Sequence, residues 1–75
     1  MEKLALRIED ISETTGQPVR QVFDAIRVGH LETFVVGRRR FARPEAVRRW
    51  VEFLEGESRA GRPVKYLVLR GKVAA

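Results

Sequence analysis

The hydrophobic positions of the chain fall into short blocks whose spacing changes from helical to alternating and back again. Residues 8–15 and 18–28 carry apolar side chains at helical spacing, and each block is followed by a glycine, Gly16 or Gly29. Glycine readily adopts the left-handed conformation that ends a helix. The pattern therefore predicts two short helices joined by a tight turn around Gly16-Gln17, which is a helix-turn-helix.

The second predicted helix has an apolar stripe and a polar face. Pro18 suits its first turn, because the N–H that proline lacks would be unpaired there anyway. The stripe has the spacing i, i+3, i+4, i+7 and is expected to pack on the core with Ile8 and Ile11 of the first helix; it consists of Val19, Val22, Phe23 and Ile26. The polar side chains are expected to point outward: Gln17, Arg20, Gln21, Asp24 and Arg27.

A run rich in β-branched and aromatic residues predicts a hairpin after the second helix. The segment "LETFVVG" indicates a strand at 32–36, Gly37 supplies the turn, and "RRFAR" returns as the second strand. Phe34, Val36 and Phe41 are expected on its inner face. The tip then carries three consecutive arginines, Arg38, Arg39 and Arg40, and Arg43 follows on the returning strand.

A third helix is predicted to start at Pro44 and to end at Gly56, with Val47, Trp50, Val51 and Leu54 at helical spacing on its apolar side. We therefore expect a small α+β domain over residues 1–55, with three helices and a two-stranded β-hairpin wing. Residues 56–75 are expected to form a basic linker and tail, in which "VKYLVL" at 64–69 offers an additional C-terminal strand.

The distribution of charge says more than its net value of +5. Residues 1–37 hold four basic and six acidic side chains, residues 38–55 hold six arginines and three glutamates, and residues 56–75 hold five basic side chains and Glu57. Arginine supplies 12 of the 15 basic side chains, and its planar fork suits phosphate and base edges better than the ammonium of lysine does. A polyanionic partner is the first hypothesis, and a basic solvated surface is the alternative.

Several classes of protein lose support on composition and motifs. The chain has no cysteine, and no apolar run approaches the roughly 20 residues that span a bilayer. The start "MEKLALRIED" does not have the pattern of a secretory signal, so an intracellular, cytoplasmic location is expected. His30, the only histidine, is interpreted as a loop residue, and we expect no metal, no cofactor, no membrane association and no enzymatic activity.

The second predicted helix, like any α-helix, has a width that fits the major groove of B-DNA, where its polar side chains can reach base edges. Arg20 and Arg27 suit guanine edges or phosphates, and Gln17 and Gln21 suit adenine or phosphate. Asp24 can accept from cytosine, or it can hold one of the arginines at helical spacing. The alternative is that these side chains form only the solvated face of an amphipathic helix.

The arginines of the hairpin and of the tail have separate interpretations. Like-charged arginines at a hairpin tip are tolerable where a polyanion neutralises them, along phosphates or in the minor groove. The alternative is a charged edge that prevents association between sheets.

In the tail, Gly61-Arg62-Pro63 flanked by Arg59 and Lys65 looks like the core of an AT-hook, a minor-groove element, although a plain basic linker is favoured. Arg48 and Arg49 are interpreted as solvated or paired with Glu45 or Glu52.

Residues 8–55 resemble the excisionase-like branch of the MerR-type winged helix-turn-helix proteins. The resemblance lies in a first helix ending in glycine, a second helix followed by "GHL", a "GRRR" wing and a helix opening at "PE". Members of that family commonly have Ser or Thr where Gln17-Pro18 stand here, and the tail has no counterpart in it.

The resemblance implies a small phage or mobile-element protein that binds double-stranded DNA sequence-selectively. Such proteins control excision, regulate transcription or select packaging sites, by binding cooperatively or as dimers and in concert with a recombinase or regulator. A protein-interaction antagonist of a regulator, docking through the strand at 64–69, is the rival from another class. RNA binding has less support from a helix-turn-helix.

Overall fold

A computed structural model of the chain describes residues 3–66 and has the predicted α+β architecture. Three helices and a three-stranded antiparallel sheet form an arrangement consistent with a winged helix-turn-helix, so the predicted fold class is confirmed. In chain order the elements are β1 (Leu6–Arg7), α1 (Ile8–Thr15), α2 (Val19–Val28), β2 (Phe34–Val36), β3 (Arg39–Ala42) and α3 (Pro44–Arg59). None of the helices within residues 3–66 has the length and apolar character that crossing a lipid bilayer requires.

The turn between α1 and α2 is held by side chains of α1 as well as by a glycine. Gly16 has a φ of 74°, in the left-handed region, and its N–H donates to the carbonyl of Ser12. The Ser12 hydroxyl donates in turn to the carbonyl of Gln17 at 2.7 Å, and the Thr15 hydroxyl donates to the carbonyl of Ile11 at 2.7 Å. The bonds of Gly16 and Ser12 reach into the three-residue turn, and the Thr15 bond lies within the last turn of α1.

The start of α1 is stabilised by Asp10, whose carboxylate accepts the backbone N–H of Arg7 at 3.1 Å. Lys3 lies 3.0 Å from the other carboxylate oxygen. The hydrogen bond from Lys3, followed by the one from the Arg7 backbone, lowers the pKa of Asp10 to about 2. An ionised Asp10 thus satisfies a backbone donor and complements the positive end of the helix dipole.

The sheet has the strand order β1-β3-β2, so β3 is its central strand. Leu6 pairs with Ala42 and joins the N-terminal segment to the hairpin. At the other edge, Phe34 pairs with Phe41 and Val36 with Arg39. The third strand of the sheet is therefore N-terminal.

The core lies between the helix-turn-helix, α3 and the sheet. Its buried side chains are Ile8, Ile11, Val22, Ala25, Leu31, Ala42, Ala46, Val47, Trp50 and Tyr66. The expectation that Ile8 and Ile11 face the core is confirmed. The predictions for Val36 and Phe34 are wrong, since these residues are 60% and 39% exposed. The buried residue of β3 is Ala42, and its side chain points to the face opposite to that of its neighbour Phe41.

The third helix is longer than the sequence predicted. It passes through Gly56, which keeps a right-handed conformation, and ends at Arg59. The glycine in the left-handed region is Gly61, with a φ of 81°, and the N–H groups of Gly61 and Arg62 donate back to the last turn of α3. A glycine inside a helix costs only about 1 kcal/mol, so Gly56 by itself does not end α3.

Tyr66 connects the end of the described chain to the core. Only 3% of it is exposed, and its hydroxyl accepts the indole N–H of Trp50 at 2.8 Å. Because the indole nitrogen only donates, the Tyr66 hydroxyl can donate its own proton to Nδ1 of His30, 2.9 Å away. Burial raises the pKa of the Tyr66 phenol.

The predicted strand at 64–69 falls largely outside the described residues. Within them, Val64 and Lys65 belong to no strand, and residues 67–69 lie beyond the described part of the chain. Val64 is half-buried against the core, as is Leu54 of α3. Residues 64–66 therefore contribute packing to the same core as the three helices.

Candidate nucleic-acid interface

The outer face of α2 is exposed to solvent, because the inner face packs against the core. Pro18 precedes it in an extended conformation, and Gly29, with a φ of 88°, ends it. Val22 and Ala25 are completely buried, and Ile26 and Val28 are half-buried against the core. The exposed residues of α2 are Val19, Arg20, Phe23 and Arg27.

Asp24 does not lie on that exposed face, which corrects the prediction. Only 4% of it is exposed, and its carboxylate accepts a hydrogen bond from Nη2 of Arg27 at 3.1 Å. Its charge also contributes to the raised pKa of Tyr66, although burial is the larger cause. Of the two roles open to Asp24, holding an arginine at helical spacing is the one observed, and the partner is Arg27.

The glutamines are less available than the sequence suggested. Gln17 lies in the turn before α2 and is half-buried. Its backbone N–H donates to the Thr15 hydroxyl at 3.3 Å. Gln21 is half-buried on the side of α2 that approaches the core. Arg20 and Arg27 are therefore the two polar side chains that α2 presents fully, and the Arg27 guanidinium is held in place by Asp24.

Sequence reasoning missed Phe23 and Val19 as surface residues. Both were placed in the buried stripe, but Phe23 is 50% exposed and Val19 is 41% exposed. Apolar residues occupy more than half of the circumference of α2, and a helix buries only one side against a small core. Ala25 was the signal that pointed to the true inner face, because it lies three residues after Val22.

The arginines of the wing leave the hairpin in different directions. Gly37, with a φ of 62°, and Arg38 form a two-residue loop in which only the first residue has a positive φ, which matches a type II′ turn. Arg39 and Arg40 belong to β3, where successive side chains point to opposite faces. The wing therefore offers one arginine at the tip and one on each face.

Contacts along the wing stiffen it. Nη1 of Arg40 donates to the hydroxyl of Thr33 at 2.7 Å, which directs that guanidinium along the hairpin. On the other face, the rings of Phe34 and Phe41 stack with centroids 5.9 Å apart. The wing is thus a built hairpin with an aromatic pair at its base.

Arg43 is not part of the hairpin, although it was grouped with the wing. It follows the last residue of β3 and occupies the position before the first turn of α3. Its guanidinium lies 3.5 Å from the carboxylate of Glu45. Arg43 is therefore partly neutralised at the start of α3.

The wing begins beside the C-terminal end of α2. The backbone N–H groups of His30 and Leu31 both donate to the carbonyl of Ala25, at 2.8 and 3.2 Å, and Leu31 is buried. Thr33, whose hydroxyl contacts Arg40, comes only two residues later, a distance of roughly 7 Å along an extended chain. Helix α2 and the wing are thus joined through a short connection fixed to the core.

Two basic side chains in the described part of the tail, Arg59 and Arg62, form ion pairs within the protein. Arg59 contacts the carboxylate of Glu55 at 3.0 Å, and Arg62 contacts Glu57 at 3.1 Å. The hydrogen bonds that Arg62 donates to the Glu57 carboxylate raise the pKa of Arg62. Arg59 is helical and Gly61 turns the chain, so this segment is not the extended form that an AT-hook takes, and Lys65 follows it as an exposed side chain.

Several exposed arginines are not neutralised in this way. Within residues 3–66, no ion pair is formed by Arg20, Arg38, Arg39, Arg40, Arg48 or Arg49. The expected alternative of pairing Arg48 or Arg49 with Glu45 or Glu52 is not observed. The same part of the chain has no group of three or more side chains suited to hold a metal ion.

The interface has no counterpart against which to compare it. Comparisons of the chain with protein-family models, with curated proteins and with solved structures find no match. The proposed function therefore depends on the chemistry of this surface. The guanidinium groups of the hairpin form no ion pair within residues 3–66, and α2 exposes two further arginines, Arg20 and Arg27.

Proposed function

We propose that this protein binds double-stranded DNA, with α2 in the major groove and the β2–β3 wing along the adjacent backbone or minor groove. The observation that supports this most is the placement of Arg38, Arg39 and Arg40 on a hairpin where no carboxylate of residues 3–66 lies in ion-pair distance. Neighbouring like charges repel, and a phosphate backbone relieves that repulsion while releasing its own counterions.

The second helix supplies the selective part of the proposal. Arg20 is exposed and unpaired on α2, and arginine recognises guanine through two parallel hydrogen bonds in the major groove. Arg27 has a guanidinium oriented by Asp24, which lowers the entropy that binding must offset. Contacts from the wing position the protein, and contacts from α2 select the sequence.

The biological role is proposed from the resemblance described above. A DNA-binding domain of this size makes few contacts, so we propose cooperative binding or self-association at its site, with a recombinase or a regulator as protein partner. Control of excision in a phage or mobile element, or regulation of transcription, is the role that we favour. Such a protein acts on DNA in the bacterial cytoplasm and needs no cofactor and no catalytic step.

The test is binding of a labelled duplex of random sequence at salt concentrations between about 50 and 200 mM, measured by fluorescence anisotropy. Contact with about five phosphates predicts that the logarithm of the binding constant falls with the logarithm of salt concentration with a slope of about −4.5. Failure to bind duplex DNA at low salt would contradict the proposal. A complex that is insensitive to salt would instead indicate docking through apolar surface.

Selection of bound sequences from random duplexes then tests the selective part. Enrichment of a defined site, with a preference for duplex DNA over RNA of the same sequence, is the expected result. Recovery of unrelated sequences would reduce the function to non-specific binding.

A further inference from the structure

The face of α2 proposed to enter the major groove is not uniformly polar. Phe23 lies between Arg20, three residues earlier, and Arg27, four residues later, so the three side chains share one side of the helix. Phe23 is 50% exposed, and Val19, four residues before it, is 41% exposed. A small apolar surface is therefore flanked by two guanidinium groups.

This exposure has no role in the packing of the protein. Val22 and Ala25 already fill the space between α2 and the core, and both are completely buried. Within residues 3–66 the ring pairs involve His30 with Phe53 and Tyr66, and Phe34 with Phe41, so Phe23 stacks on none of these rings. Leaving a phenylalanine half in water forgoes part of the roughly 1.5–3 kcal/mol that its burial provides.

We infer that Phe23 is a specificity-determining residue that contacts the C5-methyl group of a thymine, with Val19 extending the apolar contact. The inference rests on the proposed function. In the major groove, the thymine methyl is the apolar mark that distinguishes one base pair from the others, and phenylalanine is among the side chains that contact it. The flanking Arg20, which forms no ion pair within residues 3–66, favours a polyanion as the molecule that covers this surface.

The experiment uses the site selected from random duplexes. Each thymine in that site is replaced, one at a time, by deoxyuridine, which lacks only the C5-methyl group. At one thymine, the wild-type protein is expected to lose about three- to fivefold in affinity, the value of one buried methyl group. The Phe23→Ala variant should bind the thymine and deoxyuridine forms of that duplex equally.

The controls separate a methyl contact from a general loss of binding. Val51→Ala shortens an apolar side chain of α3 that is 41% exposed, compared with 50% for Phe23, and it should keep the wild-type ratio between the two duplexes. Phe23→Leu keeps an apolar side chain at the position and should retain part of the discrimination. The wild-type comparison uses an unmodified protein, so equal binding of the thymine and deoxyuridine duplexes counts against the inference even if a variant of Phe23 is poorly folded.

The outcomes distinguish this inference from the proposed function. A wild-type protein that binds its selected site but discriminates at no thymine overturns the inference alone, as does a selected site without thymine. A Phe23→Ala variant that binds more weakly but keeps the wild-type ratio also overturns it, and indicates contact with another partner. A wild-type protein that binds no duplex DNA overturns the proposed function as well.

Discussion

Two arginine-rich regions of this protein differ in whether their arginines form ion pairs. On the wing, Arg38, Arg39 and Arg40 are exposed and form no ion pair with any residue between 3 and 66. At the end of α3 and in the turn that follows, Arg59 and Arg62 each contact a glutamate within 3.1 Å.

The difference follows from local sequence and element type. A helix brings residues four apart together, so Glu55 meets Arg59, and the turn at Gly61 brings Arg62 back to Glu57. In the hairpin, the residues opposite Arg39 and Arg40 are Val36 and Val35, which cannot neutralise them. A count of basic residues therefore does not distinguish the two regions, whereas the ion pairs formed within residues 3–66 do.

The largest expected effect comes from removing the wing charges together. Arg38→Ala, Arg39→Ala and Arg40→Ala combined should weaken binding to every duplex by on the order of a hundredfold and make the salt slope about 2.7 less steep. The thermal midpoint should change little, because these side chains are exposed. The matched control is Arg59→Ala, Arg62→Ala and Lys65→Ala combined, measured by the same anisotropy titration, and an equal loss there would remove the distinction between the two regions.

The next effect concerns stability at the C-terminal region. Tyr66→Phe should lower the free energy of unfolding by about 2 kcal/mol, because the buried indole N–H of Trp50 then lacks its acceptor. Urea unfolding measures this loss, and Arg38→Ala is the control that should leave stability unchanged. DNA affinity of the folded Tyr66→Phe protein should equal that of the wild type, and an unchanged unfolding midpoint would show that this hydrogen bond contributes nothing.

A smaller effect is expected from Arg20→Ala on the exposed face of α2. Affinity for the selected site should fall by about tenfold while affinity for random duplex changes little, since a base contact carries the difference. Competition titrations with both duplexes measure the ratio, and Arg48→Ala, an exposed and unpaired arginine of α3, should leave that ratio unchanged. Equal losses on both duplexes would assign Arg20 to phosphate.

The smallest effect distinguishes structural from binding charges through pH. The pKa of Asp10 is about 2 in the folded protein, below its ordinary value of 3.8, so its ionised form stabilises the fold above about pH 4. That contribution is lost as the pH falls toward 2. Asp10→Asn should therefore be less stable than the wild type at pH 7 and should approach it between pH 4 and 2 in urea unfolding, with Glu13→Gln as the control on α1.

Much of the fold could be predicted because it depends on local backbone preferences. Gly16, Gly29 and Gly37 all adopt the left-handed conformation that only glycine takes readily, and they lie at the two helix ends and the hairpin turn predicted from them. Pro44 stands at the first position of α3, where its missing N–H is not needed. The DNA-binding roles of the wing arginines and of Arg20 stay predictions.

Other features depend on which surfaces meet. The apolar stripe of α2 was placed on Val19 and Phe23, whereas packing uses Val22 and Ala25, because α2 offers more apolar surface than the core can cover. Asp24 was placed outside for the same reason, and the rotation of α2 on the core buries it beside Arg27.

The sequence by itself determined the three helices, the hairpin, their order and the charge of the wing, since glycines, prolines and side-chain periodicity act within a few residues of the chain. Only the tertiary structure decided which arginines form ion pairs and which apolar side chains of α2 are exposed to water. It also decided that Tyr66 is buried in the core and accepts the indole N–H of Trp50. Those outcomes depend on contacts between residues distant in sequence, which periodicity does not encode.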